Sequence, residues 1–262
     1  MEINNKTVWI TGASSGIGEA LAYELALKNC KLILSGRNIE ALEKVKLNCK
    51  SAVVAILPFD LIDFDNAKNN VEKAISFFGK IDVLINNGGV SQRSLIAETG
   101  FEVDKKLIEV DYLGTVALSK ALLPHFIKNQ SGHFVTITSL MGKFGSPFRS
   151  GYCGAKHALH GFFDVLRMEH EKDKIKVTLI CPGFIQTNVS KNALTGNGTA
   201  QNHDDNATKN GMPVTVFVKK MIKAVENEKF ETYIGGKEVL GIYLKRFFPK
   251  LLHKFVLRSR VR

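Results

Sequence analysis

At 262 residues and 45% hydrophobic content, the chain is long enough for a single α/β domain with a full core. Its four cysteines, Cys30, Cys49, Cys153 and Cys181, stand far apart with no CxxC and no His/Cys ligand spacing, which argues against a disulfide framework and a zinc site and fits a reducing compartment. The formal net charge of +11 is uneven: Gly241 to Arg262 holds seven Lys and Arg and no acid, so the body of the chain does not carry the charge of a nucleic-acid surface.

The N-terminal MEINNK is short and polar and runs directly into an apolar segment, and no apolar run approaches the roughly 20 residues of a membrane span. The expectation is a cytoplasmic protein, at most peripheral on a membrane. Residues 7–11, TVWIT, form an apolar run bounded by Lys6 and Gly12, as in a strand buried on both faces. TGASSGIG follows, Thr11 to Gly18. Gly12, Gly16 and Gly18 let the chain turn sharply and bring backbone against a pyrophosphate, while a helix predicted over Ile17 to Lys28 offers its first N–H groups to the anion. A glycine pattern alone is weak, but between a strand and an amphipathic helix it points to nucleotide binding through Gly12, Ser14, Ser15, Gly16, Ile17 and Gly18.

The second strand, KLILS, ends at Gly36-Arg37. An acidic residue there would accept from the ribose 2′-OH of NAD, whereas an arginine pairs with the 2′-phosphate of NADP, so Arg37 favours NADP(H). A third strand, AVVAILPF, leads to Asp60-Leu61, and a polar helix from about Asp63 to Gly79 leads to a fourth, IDVLI. This alternation predicts a parallel, doubly wound sheet. The fourth strand opens into Asn86-Asn87-Gly88-Gly89, whose glycines let backbone lie against a flat ligand. A long helix is predicted from about Lys105 to Lys128, interrupted at Gly114 and Pro124, with Asp111 in its middle.

The fifth strand, HFVTITS, ends on Ser139, at the carboxyl edge where parallel sheets bind ligands. In SGYCGAKHALHGFF, Leu159, Phe162, Phe163, Leu166 and Met168 recur at roughly helical spacing, so Tyr152 and Lys156 lie at i and i+4 on one face. An ammonium beside a phenol favours the ionised form and suits the pair to acid/base work. The sixth strand, KVTLIC, runs into Pro182-Gly183 and reaches Ile185 and Thr187, the latter a candidate partner for a nicotinamide amide. Asn188 to Gly211, rich in Asn, Thr and Gly, is expected to be a mobile surface loop.

Taken together, these residues resemble the short-chain dehydrogenase/reductase family from Thr7 to about Gly236. TGASSGIG matches its TGxxxGxG, NNGG is close to its NNAG, and Ser139 with YCGAK matches its serine and YxxxK. The resemblance implies a Rossmann fold with a seven-stranded parallel sheet and hydride transfer between a nicotinamide and a carbonyl or alcohol. It implies Tyr152 as the acid/base, Lys156 holding the nicotinamide ribose, and Ser139 orienting the substrate oxygen. Asp60, Leu61, Asn87, Gly88, Pro182, Gly183, Ile185 and Thr187 fall where the family meets its cofactor. One departure stands out: Asp111 occupies the place of a family asparagine that holds a relay water. Its carboxylate can accept the same hydrogen bond but would stabilise Lys156 as ammonium and oppose ionisation of Tyr152. The NNGG, SPFRSGYCGAKHA and basic tail resemble the branch that contains dehydrogenase/reductase family member 7.

The resulting expectation is one catalytic domain over 1–236 with a basic amphipathic extension over 237–262, acting with NADP(H) on a small lipophilic carbonyl or alcohol, as a homodimer or homotetramer and without nucleic acid. Two rivals remain: reduction of a carrier-bound 3-oxoacyl chain docked on the basic surface, and a non-catalytic NADP-binding sensor or scaffold. In the tail, Leu244, Phe248, Leu251 and Phe255 fall on one helical stripe, with Arg246, Lys250, Lys254 and Arg258 mostly opposite. Pro249 predicts a break near Phe248 and a second helix starting at Pro249. The stripe either contacts a membrane surface or packs on the protein or on a second copy.

Overall fold

The computed structural model describes residues 1–50 and 52–258. Seven strands form one parallel sheet in the order β3-β2-β1-β4-β5-β6-β7. They are β1 (Thr7–Thr11), β2 (Lys31–Ser35), β3 (Val54–Ile56), β4 (Val83–Asn86), β5 (Gly132–Ile137), β6 (Ile175–Pro182) and β7 (Glu231–Ile234). The order reverses beside β1, between β2 and β4, the place where doubly wound sheets open a crevice.

The apolar runs are continuous because both sheet faces are covered. Successive strand residues point to opposite faces, so Val8 and Ile10 enter one core layer while Trp9 enters the other. Leu32 and Leu34 divide from Ile33, and Val83 and Ile85 from Leu84, in the same way. The first layer is closed by α1 (Gly16–Ala26), α2 (Ile39–Asn48) and α8 (Val214–Glu226), through Leu21, Leu25, Leu42, Phe217 and Met221. The second is closed by α3 (Ala67–Phe78), α5 (Gly114–Asn129) and α6 (Ser150–Glu169), through Val71, Leu122, Phe126, Leu159 and Phe163. Burying a side chain of this size contributes about 1.5–3 kcal/mol.

Several sequence-based expectations are corrected. The long helix begins at Phe101, as α4 (Phe101–Ile108), and passes through a π-helical turn, Glu109–Leu113, into α5. Gly114 and Pro124 do not interrupt it; the irregularity is the π turn, whose wider spiral carries Asp111 to a fully buried position. The third strand is only three residues, because β3 is an edge strand paired with β2 alone. In α6, Leu159, Phe163 and Leu166 are buried, whereas Met168 is exposed and Phe162 only half-buried.

The segment 188–211 is not loose. Ser190, Ala193, Leu194, Gln201, Asp205 and Thr208 are buried, and a single turn, α7 (Asn206–Lys209), precedes α8. It pairs with the segment after β4 by backbone bonds, Leu194 N to Ser91 O and Arg93 N to Leu194 O, both 2.8 Å. Asp205 then clamps it. Arg93 Nη2 and Nε lie 2.6 and 2.7 Å from Asp205 Oδ2, and Arg149 Nη2 lies 3.5 Å from the same oxygen.

The tail folds as the proline predicts: α9 (Leu240–Phe247), a non-helical Phe248, and α10 (Pro249–Arg258). Residues 259–262, the end of the basic extension, lie outside the described residues. Among the described residues no helix is long and apolar enough to cross a membrane.

Candidate active site

A cleft of about 440 Å³ opens at the carboxyl ends of the strands. Its floor is the glycine turn after β1. Gly12 has φ +62°, and a Cβ there would lie 2.7 Å from Gly88 Cα, so only glycine lets this turn pack on the turn after β4. Thr11 ties the two turns together, its Oγ1 accepting from Asn87 N and Gly88 N at 3.0 Å each. Asn87 Nδ2 donates back to the carbonyls of Thr11 and Gly12, at 2.9 and 3.0 Å. The Asn87 amide therefore shapes the cradle as well as lining it.

Ser14, Ser15, Gly16 and Ile17 line the cleft at the start of α1, where unpaired backbone N–H groups favour an anion. Gly18 does not line it: a Cβ there would lie 2.3 Å from Gly12 O, so Gly18 serves the packing of α1 under the turn. Arg37, Asp60 and Leu61 form one rim and Pro182, Gly183, Ile185 and Thr187 another. Arg37 is largely exposed, with Nη1 3.7 Å from Asp60 Oδ2. A glycine floor, a helix N-terminus and a basic rim fit a dinucleotide.

The polar side chains converge at the inner end. β5 ends at Ile137 rather than on Ser139, which lies two residues further on, its Oγ accepting from Met141 N at 3.1 Å as the cap of a short turn, Leu140–Gly142. Tyr152 and Lys156 project from α6 as the spacing predicts, with Lys156 Nζ 5.6 Å from the Tyr152 ring centroid. Lys156 is buried, and Nζ donates to Ile137 O at 3.3 Å. Asp111 joins them from the π turn. Its Oδ1 accepts from Val90 N at 2.7 Å, and its Oδ2 lies 3.6 Å from Lys156 Nζ. Burial pushes the Asp111 carboxyl up from its ordinary value, against the pull of the Lys156 charge and the Val90 N–H. Ser139, Tyr152, Lys156 and the cofactor-site residues other than Gly18 thus meet at one cleft, while Asp111 does not line it and lies fully buried behind Lys156.

Two contributors escaped the sequence reading. Gln92 is fully buried, and its Oε1 accepts from Gly151 N and Tyr152 N at 2.9 and 3.3 Å, satisfying N–H groups in the first turn of α6. It holds the helix that presents Tyr152. The second is a polar cluster one turn beyond Lys156, where His160, Cys181 and Glu231 bring ligand-type atoms within 4.8 Å of one another. Burial keeps the Cys181 thiol up at about 12 and holds the His160 imidazole down at about 4. Lys143 Nζ lies 2.9 Å from Glu231 Oε2 and pairs that carboxylate. No sequence spacing announces either group, because their members come from separate elements.

A doubly wound sheet with a glycine cradle at its switch point and a serine, tyrosine and lysine beside it defines a class of nucleotide-dependent oxidoreductases. The short chain dehydrogenase family model matches residues 6–198, and the chain belongs to that family. Human dehydrogenase/reductase SDR family member 7 is 40% identical over 256 residues, 95% of this chain and 76% of that protein. Mouse family member 7B is 37% identical over 267 residues, covering 99% and 82%. Among solved structures, a short chain dehydrogenase/reductase from Burkholderia phymatum in complex with NAD superposes with TM-score 0.85 at 20% identity, covering 100% of this chain and 98% of that one. A short-chain dehydrogenase from Streptomyces avermitilis superposes with TM-score 0.81 at 25% identity, covering 97% and 98%.

Proposed function

We propose that the protein is an NADP(H)-dependent oxidoreductase that interconverts a carbonyl and an alcohol on a small hydrophobic substrate, with Tyr152 as the general acid/base. The observation that carries this reading is the convergence of Ser139, Tyr152 and Lys156 on the cleft that holds the glycine cradle, with Asp111 buried behind Lys156.

When bound, the reduced nicotinamide supplies the hydride. Gly12, Ser14, Ser15, Gly16 and Ile17 would hold the pyrophosphate, and Arg37 the 2′-phosphate. Asp60 and Leu61 would flank the adenine side. Asn87, Gly88, Pro182, Gly183, Ile185 and Thr187 would surround the ribose and nicotinamide. Lys156, whose Nζ lies 5.6 Å from the Tyr152 ring centroid, would donate to the ribose hydroxyls. Ser139 donates a hydrogen bond to the substrate oxygen and fixes it against Tyr152. Tyr152 Oη gives its proton to that oxygen in reduction and takes it back in oxidation. Asp111 holds the Lys156 ammonium in place.

An apolar wall supports a lipophilic substrate: Val90, Val110, Val189 and Leu194 line the cleft, and Val90 and Tyr152 pack on Val103, Leu107 and Leu194. The presence of the complete acid/base set favours chemistry over a binding-only role. Titrating NADPH and NADH tests the cofactor, with NADPH expected to bind at least tenfold more tightly, a difference of about 1.4 kcal/mol. Arg37→Asp should abolish or reverse that ratio; an unchanged ratio would remove Arg37 from the account. A panel of carbonyls followed by NADPH consumption then defines the substrate.

A further inference from the structure

The C-terminal helices divide their apolar residues between two directions. Leu252 is buried against Leu140, Phe144 and Cys181, and Ile242, Leu244 and Val256 pack on the same cluster. This inner row seats α9 and α10 on the turn that follows Ser139, where Phe144 lies so close to Gly241 that a Cβ there would meet its ring at 2.8 Å. The remaining apolar residues face out. On α9, Leu240, Tyr243 and Phe247 recur at i, i+3 and i+7, with exposures of 62, 53 and 68%. Around the break and on α10, Phe248, Leu251 and Phe255 form a second such row, 44–62% exposed.

Cations border these rows. Lys245, Arg246, Lys250, Lys254 and Arg258 are all exposed, and among the described residues none of them enters an ion pair. No acid occurs from Leu240 to Arg258. On α10, helical spacing puts Leu251 and Phe255 one step round from the inward Leu252 and Val256, and Lys254 and Arg258 on the far side of them. A second copy docking here would bring five unpaired cations against five more, which disfavours self-association. An anionic surface has the complementary charge.

We propose that α9 and α10 form a docking surface for an anionic lipid bilayer, on which the exposed phenylalanines enter the headgroup region while the lysines and arginines meet lipid phosphates and carboxylates. The helices lie on the membrane and do not cross it, since the inner row is occupied by the protein body. Each cation near an anionic surface adds roughly a fivefold gain in partitioning. Because the same helices pack on the turn after Ser139, docking brings the cleft-bearing body against the membrane.

Co-sedimentation of the full chain with phosphatidylcholine vesicles, with and without phosphatidylserine, tests the proposal in the absence of cofactor and substrate, so its outcome is independent of the catalytic reading. The expected result is at least tenfold tighter binding to the phosphatidylserine vesicles, weakening as salt is raised. A Phe247→Ser, Phe248→Ser, Phe255→Ser variant should lose at least tenfold of that binding with an unchanged melting temperature, since all three side chains are already exposed. Should that variant unfold, Lys250→Glu with Lys254→Glu provides the second arm and must lose the phosphatidylserine preference. Salt-insensitive binding to both vesicle types, or equal binding by wild type and variants, overturns the proposal. A fall in the mass of the assembly at sedimentation equilibrium on replacing the phenylalanines also overturns it, assigning the face to a second copy.

Discussion

Asp111 shows how one residue's role is set by its surroundings. A carboxylate on an ordinary helix face is solvated and inert, but the π turn buries this one 3.6 Å from Lys156. Replacing it with asparagine keeps an acceptor for Val90 N and removes a carboxylate charge beside the Lys156 side chain. Loss of that charge makes loss of a proton from a neighbouring acid easier, so Asp111→Asn should retain turnover and move the pH–kcat profile to lower pH. A shift to higher pH, or complete loss of activity with the fold intact, would contradict this electrostatic role. The i, i+4 relation of Tyr152 and Lys156 and the Ser139 position were legible in the sequence because each depends on one periodic element. Gln92 was not, since its function rests on a contact with Gly151 and Tyr152 some sixty residues away.

At the scale of elements, strands and helices were legible where hydrophobic period and punctuation agree, as in β1, β2, α6 and the Pro249 break. The π turn was not, because it is a five-residue change in hydrogen-bond pattern inside a continuous helix and no glycine, proline or cap marks its start. The 188–211 segment misled for another reason: its Asn, Thr and Gly content marks surface loops, yet its order comes from a buried ion cluster whose partners are 112 residues apart in the chain. Burial raises the Asp205 carboxyl, but the hydrogen bonds and charge of Arg93 win and hold it below its ordinary value. Burial and the Arg93 charge lower Arg149 to about 10. Removing the carboxylate takes a shared buried counter-charge from the Arg93 and Arg149 guanidinium groups, a loss of about 3–5 kcal/mol. Asp205→Asn should therefore lower the melting temperature and open residues 188–211 to limited proteolysis while α1 and the glycine turn stay protected. Wild-type melting and protease resistance would show that the clamp carries no stability.

The whole molecule has a pH dependence built into its interior. His133 on β5 and His160 on α6 are both buried, and burial first, for each, lowers the imidazole from 6.5 to about 4. Neither accepts a proton readily in the folded state, whereas both do in the unfolded chain. Their contribution is present above pH 6.5 and is lost as the pH falls towards 4, each by an amount of the order of 3 kcal/mol. The melting temperature should fall across that window, and His133→Gln with His160→Gln should flatten the slope. A wild-type melting temperature constant from pH 7 to 4 would contradict the assignment.

The same interior fixes the cleft, because the two core layers hold the strand ends that carry the Gly12 turn, Asn87 and Ser139 in register. The central claim is that this cleft performs reductive chemistry through the Tyr152 hydroxyl. The most direct measurement pairs NADPH affinity with turnover, in the wild type and in Tyr152→Phe, on the best carbonyl found in the panel. The account predicts NADPH affinity within a few-fold of wild type and turnover reduced by about 10²–10⁴, because the substitution removes a transferable proton and little else. Turnover within tenfold of wild type at unchanged NADPH affinity would contradict it.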